Sequence, residues 1–197
     1  MNNIKDLTTY IDKENILLIK DNNFLINAFE LRLLKRISSV FSKYSTTFNN
    51  EKLQNITSEY LTISFKNVNS EVCNSYKKLL YKYFDVINEY YNTHSDSKNK
   101  IKQITKEFID KLYNKENPIM NESISNNYKN EIMNSIYVYD NISMNKEITL
   151  IIKNDTCDVI NEINHNVNEY LIRCMKEIIK YVFGSRSEDL VWKDYLN

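Results

Sequence analysis

A chain of 197 residues, 42% hydrophobic and 26% charged, is long enough to bury a sizeable core and reads as globular rather than disordered. Lys plus Arg and Asp plus Glu each total 26, so the formal charge is zero and gives no long-range attraction to nucleic acid or an anionic membrane. A single Gly (Gly184) and a single Pro (Pro118) demote hairpin-rich sandwiches and barrels, and with them the glycine-dependent Rossmann and P-loop phosphate sites.

The composition is skewed as well as balanced. Phe, Tyr, Met, Ile, Asn and Lys make up 105 residues, whereas Gly, Ala, Arg and Pro make up 7. The abundant set has AT-rich codons, which associates the gene with AT-rich genomes such as those of large DNA viruses and some intracellular parasites. Many Asn, Lys and Ile residues therefore reflect mutation bias rather than chemistry. The four N-x-S/T sequons, at Asn55, Asn121, Asn141 and Asn154, carry no information, because 30 Asn and 26 Ser plus Thr predict about four by chance. The first residues carry acids and amides where a secretory signal needs an apolar core, and no apolar run approaches a membrane span. Cys73, Cys157 and Cys174 form no C-x-x-C pair. A shared helix would hold Cys157 and Cys174 about 25 Å apart, so buried free thiols in a reducing compartment are expected. The localisation expected is cytoplasmic, or the host cytosol for a viral gene, and not secreted.

In chain order, a short helix is expected at Ile4 to Ile11. A stronger one follows from Phe24 to Tyr44, where Ile26, Phe29, Leu33, Ile37, Val40 and Tyr44 recur at steps of three or four. Leu61-Thr62-Ile63-Ser64-Phe65 alternates like a strand. The next helix, Ser70 to Tyr91, carries Cys73, Tyr76, Leu80, Tyr83, Ile87 and Tyr90, with Ser70 as its N-cap. After a polar loop, Asn92 to Lys100, a helix from Ser97 to Tyr113 carries Ile101, Ile104, Phe108 and Leu112 and is closed by Asn117 and Pro118. A weaker stripe follows at Ile124, Tyr128, Ile132 and Ile136. Residues 136–139 and 148–152 are β-prone. The best helix runs from Asp155 to Phe183 along Ile160, Ile163, Val167, Tyr170, Cys174 and Ile178, with Gly184 as its left-handed terminator. Extended back through Ile152 and Ile148 it reaches roughly 40 residues. A last short helix is expected at Glu188 to Tyr195.

These elements predict an all-α (mainly α) fold: a bundle of about five to seven helices in one domain, residues 1–197, with 185–197 packing on it. The segments 61–65, 136–139 and 148–152 mark a candidate small accessory β-sheet. With few strong helix formers, the helices must rest on packing an apolar face rather than on propensity.

The sharpest polar arrangement is Asp155, Asp158, Glu162, His165 and Glu169, which fall within about 80° on a helical wheel, roughly opposite the apolar stripe. It contains Glu162-x-x-His165, the ligand pair of di-iron bundles. No second pair accompanies it, because His94 follows Glu89 by five residues, and its side chains point away from the core. No metal or other cofactor is therefore expected, and the stripe is read as a solvated face or a docking site for a basic partner. Lys98, Lys100, Lys102, Lys106, Lys111 and Lys115 form a basic face that could contact phosphates, although that segment lacks Arg for bidentate contacts. Cys157 and His165 would stand about 12 Å apart on one helix, too far for a nucleophile and its base. Trp192, the lone indole, either pins the C-terminal segment or anchors a partner.

The function expected is non-enzymatic: protein–protein binding by a helical protein, with a host protein or a second copy as partner. Asp155, Asp158, Glu162, His165, Glu169 and Trp192 are the candidate partner-binding residues. The alternative is a nucleic-acid-associated protein using the Lys98 to Lys115 face.

Overall fold

The structure, a computed structural model, describes residues 4–44, 50–93, 98–112 and 141–184, together with positions 130 and 134. Almost all of them are helical, and no strand occurs among them. Helix α1 spans Ile4–Lys43 and α2 spans Asn50–Ile56. A π-helical segment, Thr57–Thr62, leads into α3, Ile63–Thr93. Helix α4 spans Lys98–Leu112, and α5 runs for 42 residues over Ile142–Phe183. None of the described helices is long and apolar enough to cross a membrane.

Both ends of α5 are made by side-chain and backbone chemistry visible in the sequence. Asn141 caps its start, its Oδ1 accepting from the backbone N of Met144 at 3.1 Å. Gly184 ends it with φ 87°, its N–H donating to the carbonyl of Lys180 at 2.9 Å. The expected helix from Asp155, extended back through Ile152 and Ile148 and stopped at Gly184, is present, and it starts six residues before Ile148, at Ile142.

Other boundaries differ. The short helix expected at Ile4 to Ile11 is the first part of the 40-residue α1. Ser70 is no N-cap, because α3 starts seven residues earlier. Two of the β-prone segments are helical. In 148–152, Ile148 and Ile152 are fully buried while Leu150 is exposed, whereas a strand would place all three on one face. In 61–65, Thr62 and Phe65 are buried while Ile63 is exposed, again the helical period. The segment 136–139, the stripe from Ile124 to Ile136 and the C-terminal segment 185–197 lie outside the described residues.

The chain divides into two compact units. The first comprises residues 1–18, 72–118 and 167–197. Its core is built from Leu7 and Ile11 of α1, Tyr76, Leu80, Tyr83 and Ile87 of α3, Ile101, Ile104 and Phe108 of α4, and Val167, Tyr170, Cys174 and Ile178 of α5. Two of its buried phenols, Tyr83 and Tyr170, carry hydrogen bonds, which lowers the cost of burying a hydroxyl. The hydroxyls of Tyr83 and Thr105 share a hydrogen bond at 2.7 Å, and the Tyr83 ring meets Phe108 edge-on at 5.0 Å. Tyr170 donates to the carbonyl of Ile11 at 3.4 Å. Toward the surface, the carboxylate of Asp12 accepts from the Tyr81 hydroxyl, and Arg173 donates to Glu14 at 3.2 Å.

The second unit comprises residues 19–71 and 119–166. Ile26, Phe29, Leu33 and Ile37 of α1, Leu53 of α2, Phe65 of α3, and Ile148, Ile152, Val159 and Ile163 of α5 form its apolar core. A cluster of asparagines crosses this core. Asn22 donates to Asn69 at 3.0 Å and accepts from Asn166 at 3.1 Å, tying α1, α3 and α5 together. Asn69 in turn donates toward the carbonyl of Ile19 and the Oδ1 of Asn23, both at 3.2 Å. At the π-helical segment, Thr57 donates back to the Leu53 carbonyl at 2.7 Å. The Glu30 carboxylate accepts from Ser58 at 2.5 Å and Thr62 at 2.6 Å, so α1 holds the wide turn through two charge-assisted bonds.

Candidate functional site

Helix α5 carries the acidic residues, and the structure separates them. Asp158, Glu162 and His165 are exposed in the second unit, and Glu169 is exposed on the stretch belonging to the first. Asp155 departs from the solvated face expected for it. It is only 2% exposed, and its carboxylate accepts from the guanidinium of Arg36 on α1. The reason lies in helix geometry: Asp155 sits about 40° from Val159 on the wheel, at the edge of the buried stripe. Val159, rather than the expected Ile160, faces the core at that turn. Asp155 is thus one half of a partly buried ion pair between α1 and α5, rather than part of the solvated face.

Glu162 and His165 both lie on the exposed face, and no group of three or more His, Cys, Asp or Glu among the described residues is placed to hold a metal ion. His94 and Trp192 lie outside the described residues. The thiols divide: Cys73 and Cys174 are buried, whereas Cys157 is exposed, against the expectation that all three are buried. Its position explains this, since Cys157 lies beside Asp158 on the outer side of α5. Burial pushes the Cys174 thiol up to about 12, which keeps it protonated and poorly nucleophilic at neutral pH. In the first unit Asp6, Leu7, Tyr10, Glu177, Lys180 and Tyr181 line an open cleft of about 200 Å³ with neither a histidine nor a cysteine in its wall.

The basic face is mixed in sign. On α4, Lys100 and Lys106 are exposed and Lys102 is half-buried, while Ile101, Ile104, Thr105 and Phe108 turn inward. Glu107 and Asp110 are exposed on the same helix, so the lysines do not make an uninterrupted cationic surface. Lys98 and Lys111 are helical, and Lys115 lies outside the described residues.

A surface that sequence reading did not single out lies on α1. In the second unit Phe24 is 74% exposed and Leu31 is 70% exposed. Ala28, the only alanine of the chain, is exposed between them. On the helical wheel these three lie within about 60°, and roughly opposite Ile26, Phe29, Leu33 and Ile37. One helix therefore carries two apolar stripes, one buried and one facing water. Asp21 is exposed three residues before Phe24 and Lys35 four residues after Leu31, with Lys20 and Arg32 exposed nearby. The signal was present in the sequence as a second i, i+4, i+7 series, Phe24, Ala28, Leu31, beside the stronger stripe.

Comparison of the chain with protein-family models, with curated proteins and with solved structures gives no match.

Proposed function

We propose that this chain is a non-enzymatic helical protein that acts by binding another protein chain through the outward face of α1. The observation that carries the reading is the pair Phe24 and Leu31, two large apolar side chains held largely in water on a helix whose opposite face is already packed. Isolated exposed apolar residues are ordinary, but a stripe at helical spacing is what a partner helix or groove engages. Burying each side chain is worth about 1.5–3 kcal/mol, enough for two to anchor a modest interface. The exposed acids Asp158 and Glu162 on α5 serve, on this reading, to steer a partner rather than to hold it. The helical content extends, in this proposal, to a single domain of about five to seven helices whose work is done on its surfaces.

Photo-crosslinking tests the reading. Benzoylphenylalanine placed at position 24 in the native cell should give a discrete protein adduct, and the same probe at position 162 should give a weaker one or none. Position 24 yielding no adduct, or the same diffuse products as position 162, would remove the proposal.

A further inference from the structure

We infer that the partner of the α1 face is a second copy of the same chain, paired antiparallel about a two-fold axis at Ala28; this rests on the protein-binding reading above. The exposed residues Asp21, Phe24, Ala28, Leu31 and Lys35 follow one another at steps of 3, 4, 3 and 4, the spacing of a coiled-coil seam. The series is close to symmetric about its centre. Asp21 stands seven residues before Ala28 and Lys35 seven after, while Phe24 and Leu31 stand four before and three after. An antiparallel copy crossing at Ala28 therefore sets each Asp21 against the Lys35 of the other chain, twice over. It also brings each Phe24 beside the other chain's Leu31. A parallel copy would instead set Asp21 against Asp21 and Lys35 against Lys35, which repel.

The centre supports close approach. Ala28 projects only a methyl group, and small residues at a crossing point let two helix backbones come together while the larger side chains on either side interlock. Asp21 and Lys35 are about 21 Å apart along the helix, so the two charge pairs would flank Phe24, Ala28 and Leu31 at a separation of about four turns. The seam is short. A standard stable interface covers about 800 Å² per partner, more than these few side chains offer, so the expected assembly is a concentration-dependent dimer rather than an obligate one.

Sedimentation equilibrium on the full chain, with Cys157→Ser as the background, reads this directly. The expected result is a monomer–dimer equilibrium. Asp21→Lys and Lys35→Asp should each weaken it about tenfold, and the double exchange Asp21→Lys with Lys35→Asp should restore it. In the same background, Ala28→Cys should form a disulfide-linked dimer on mild oxidation, because its two copies meet at the axis. Failure of the double exchange to restore dimerisation, or absence of the cross-link at position 28 in a chain that does dimerise, would overturn the antiparallel pairing. A strict monomer whose position-24 probe still captures a different protein would overturn self-pairing and leave the protein-binding reading standing. A strict monomer with no capture would end both. Circular dichroism on each variant separates loss of pairing from loss of fold, since all the substituted positions are exposed.

Discussion

Asn22 and Asn69 meet side chain to side chain in the core of the second unit, the amide of Asn22 donating to the carbonyl of Asn69 at 3.0 Å. Both are buried at positions where the helical register calls for an apolar residue. Asn22 also accepts from Asn166, so the three amides fix how α1, α3 and α5 align in that unit. Asparagines at such positions cost stability relative to a packed aliphatic core and are best understood as register devices.

Removing the centre of this cluster strands its partners. Asn22→Ala should lower the unfolding free energy by roughly 1–3 kcal/mol, because it leaves the buried Asn69 and the half-buried Asn166 without it. Asn15 offers the contrast: its Nδ2 bonds Asn74 at 3.1 Å, but its buried Oδ1 has no partner among the described residues. Asn15→Leu should therefore be neutral or stabilising. Urea denaturation of both variants decides, and equal losses would show that the cluster has no special role.

The Arg36–Asp155 pair should behave as a partly buried ion pair. Arg36→Met leaves the Asp155 carboxylate at 2% exposure without its cation. The expected loss is about 1–3 kcal/mol, discounted because the Arg36 side chain is itself half-exposed and screened by solvent. Adding Asp155→Leu should recover most of that loss. A double variant as unstable as the single one would place the stabilising role of Asp155 elsewhere.

Thiol reactivity should sort by position. In the native protein at pH 8 one thiol, Cys157, should react with a disulfide reagent within minutes. Cys73 and Cys174 are buried and should react only after unfolding, and the Cys174 thiol, pushed up to about 12, is protonated at that pH. Mass mapping of the labelled sites checks the order, and early labelling of Cys174 would contradict the packing of the first unit.

Surface charge should matter little to the fold. Reversing Asp158 and Glu162 to Lys should change stability by no more than about 0.5 kcal/mol, since both are exposed. If partner affinity is also unmoved, the acidic stripe is only a solvated face. The lysines of α4 are interrupted by Glu107 and Asp110, so fluorescence anisotropy with short DNA or RNA at low salt should detect no binding. Affinity that appears at low salt and falls steeply with added salt would instead support the nucleic-acid alternative.

The same asparagines explain where sequence reading stopped. Helix α4 was legible almost to the residue, and α5 with its Gly184 terminator nearly so, because Ile148, Ile152, Ile163 and Val167 keep the period unbroken. In α1 the buried register runs Ile11, Asn15, Leu18, Asn22, Ile26, and the two amides split one helix into two expected pieces. In α3 the buried Asn69 made Ser70 look like a start. A polar side chain satisfied by another helix cannot be told from a surface residue by the pattern of its own helix alone. The same limit hid the inward turn of Asp155, whose partner Arg36 is 119 residues away. For the α1 face the signal was visible but shorter than the core stripe on the same helix, so the longer stripe masked it.

Binding through the α1 face is tested by the affinity of the chain captured at position 24, measured by calorimetry against wild type and against Phe24→Asp with Leu31→Asp. The double variant should lose at least tenfold in affinity, with its thermal midpoint and helical signal unchanged. Affinity equal to wild type in a folded double variant would contradict it and move the binding surface off α1.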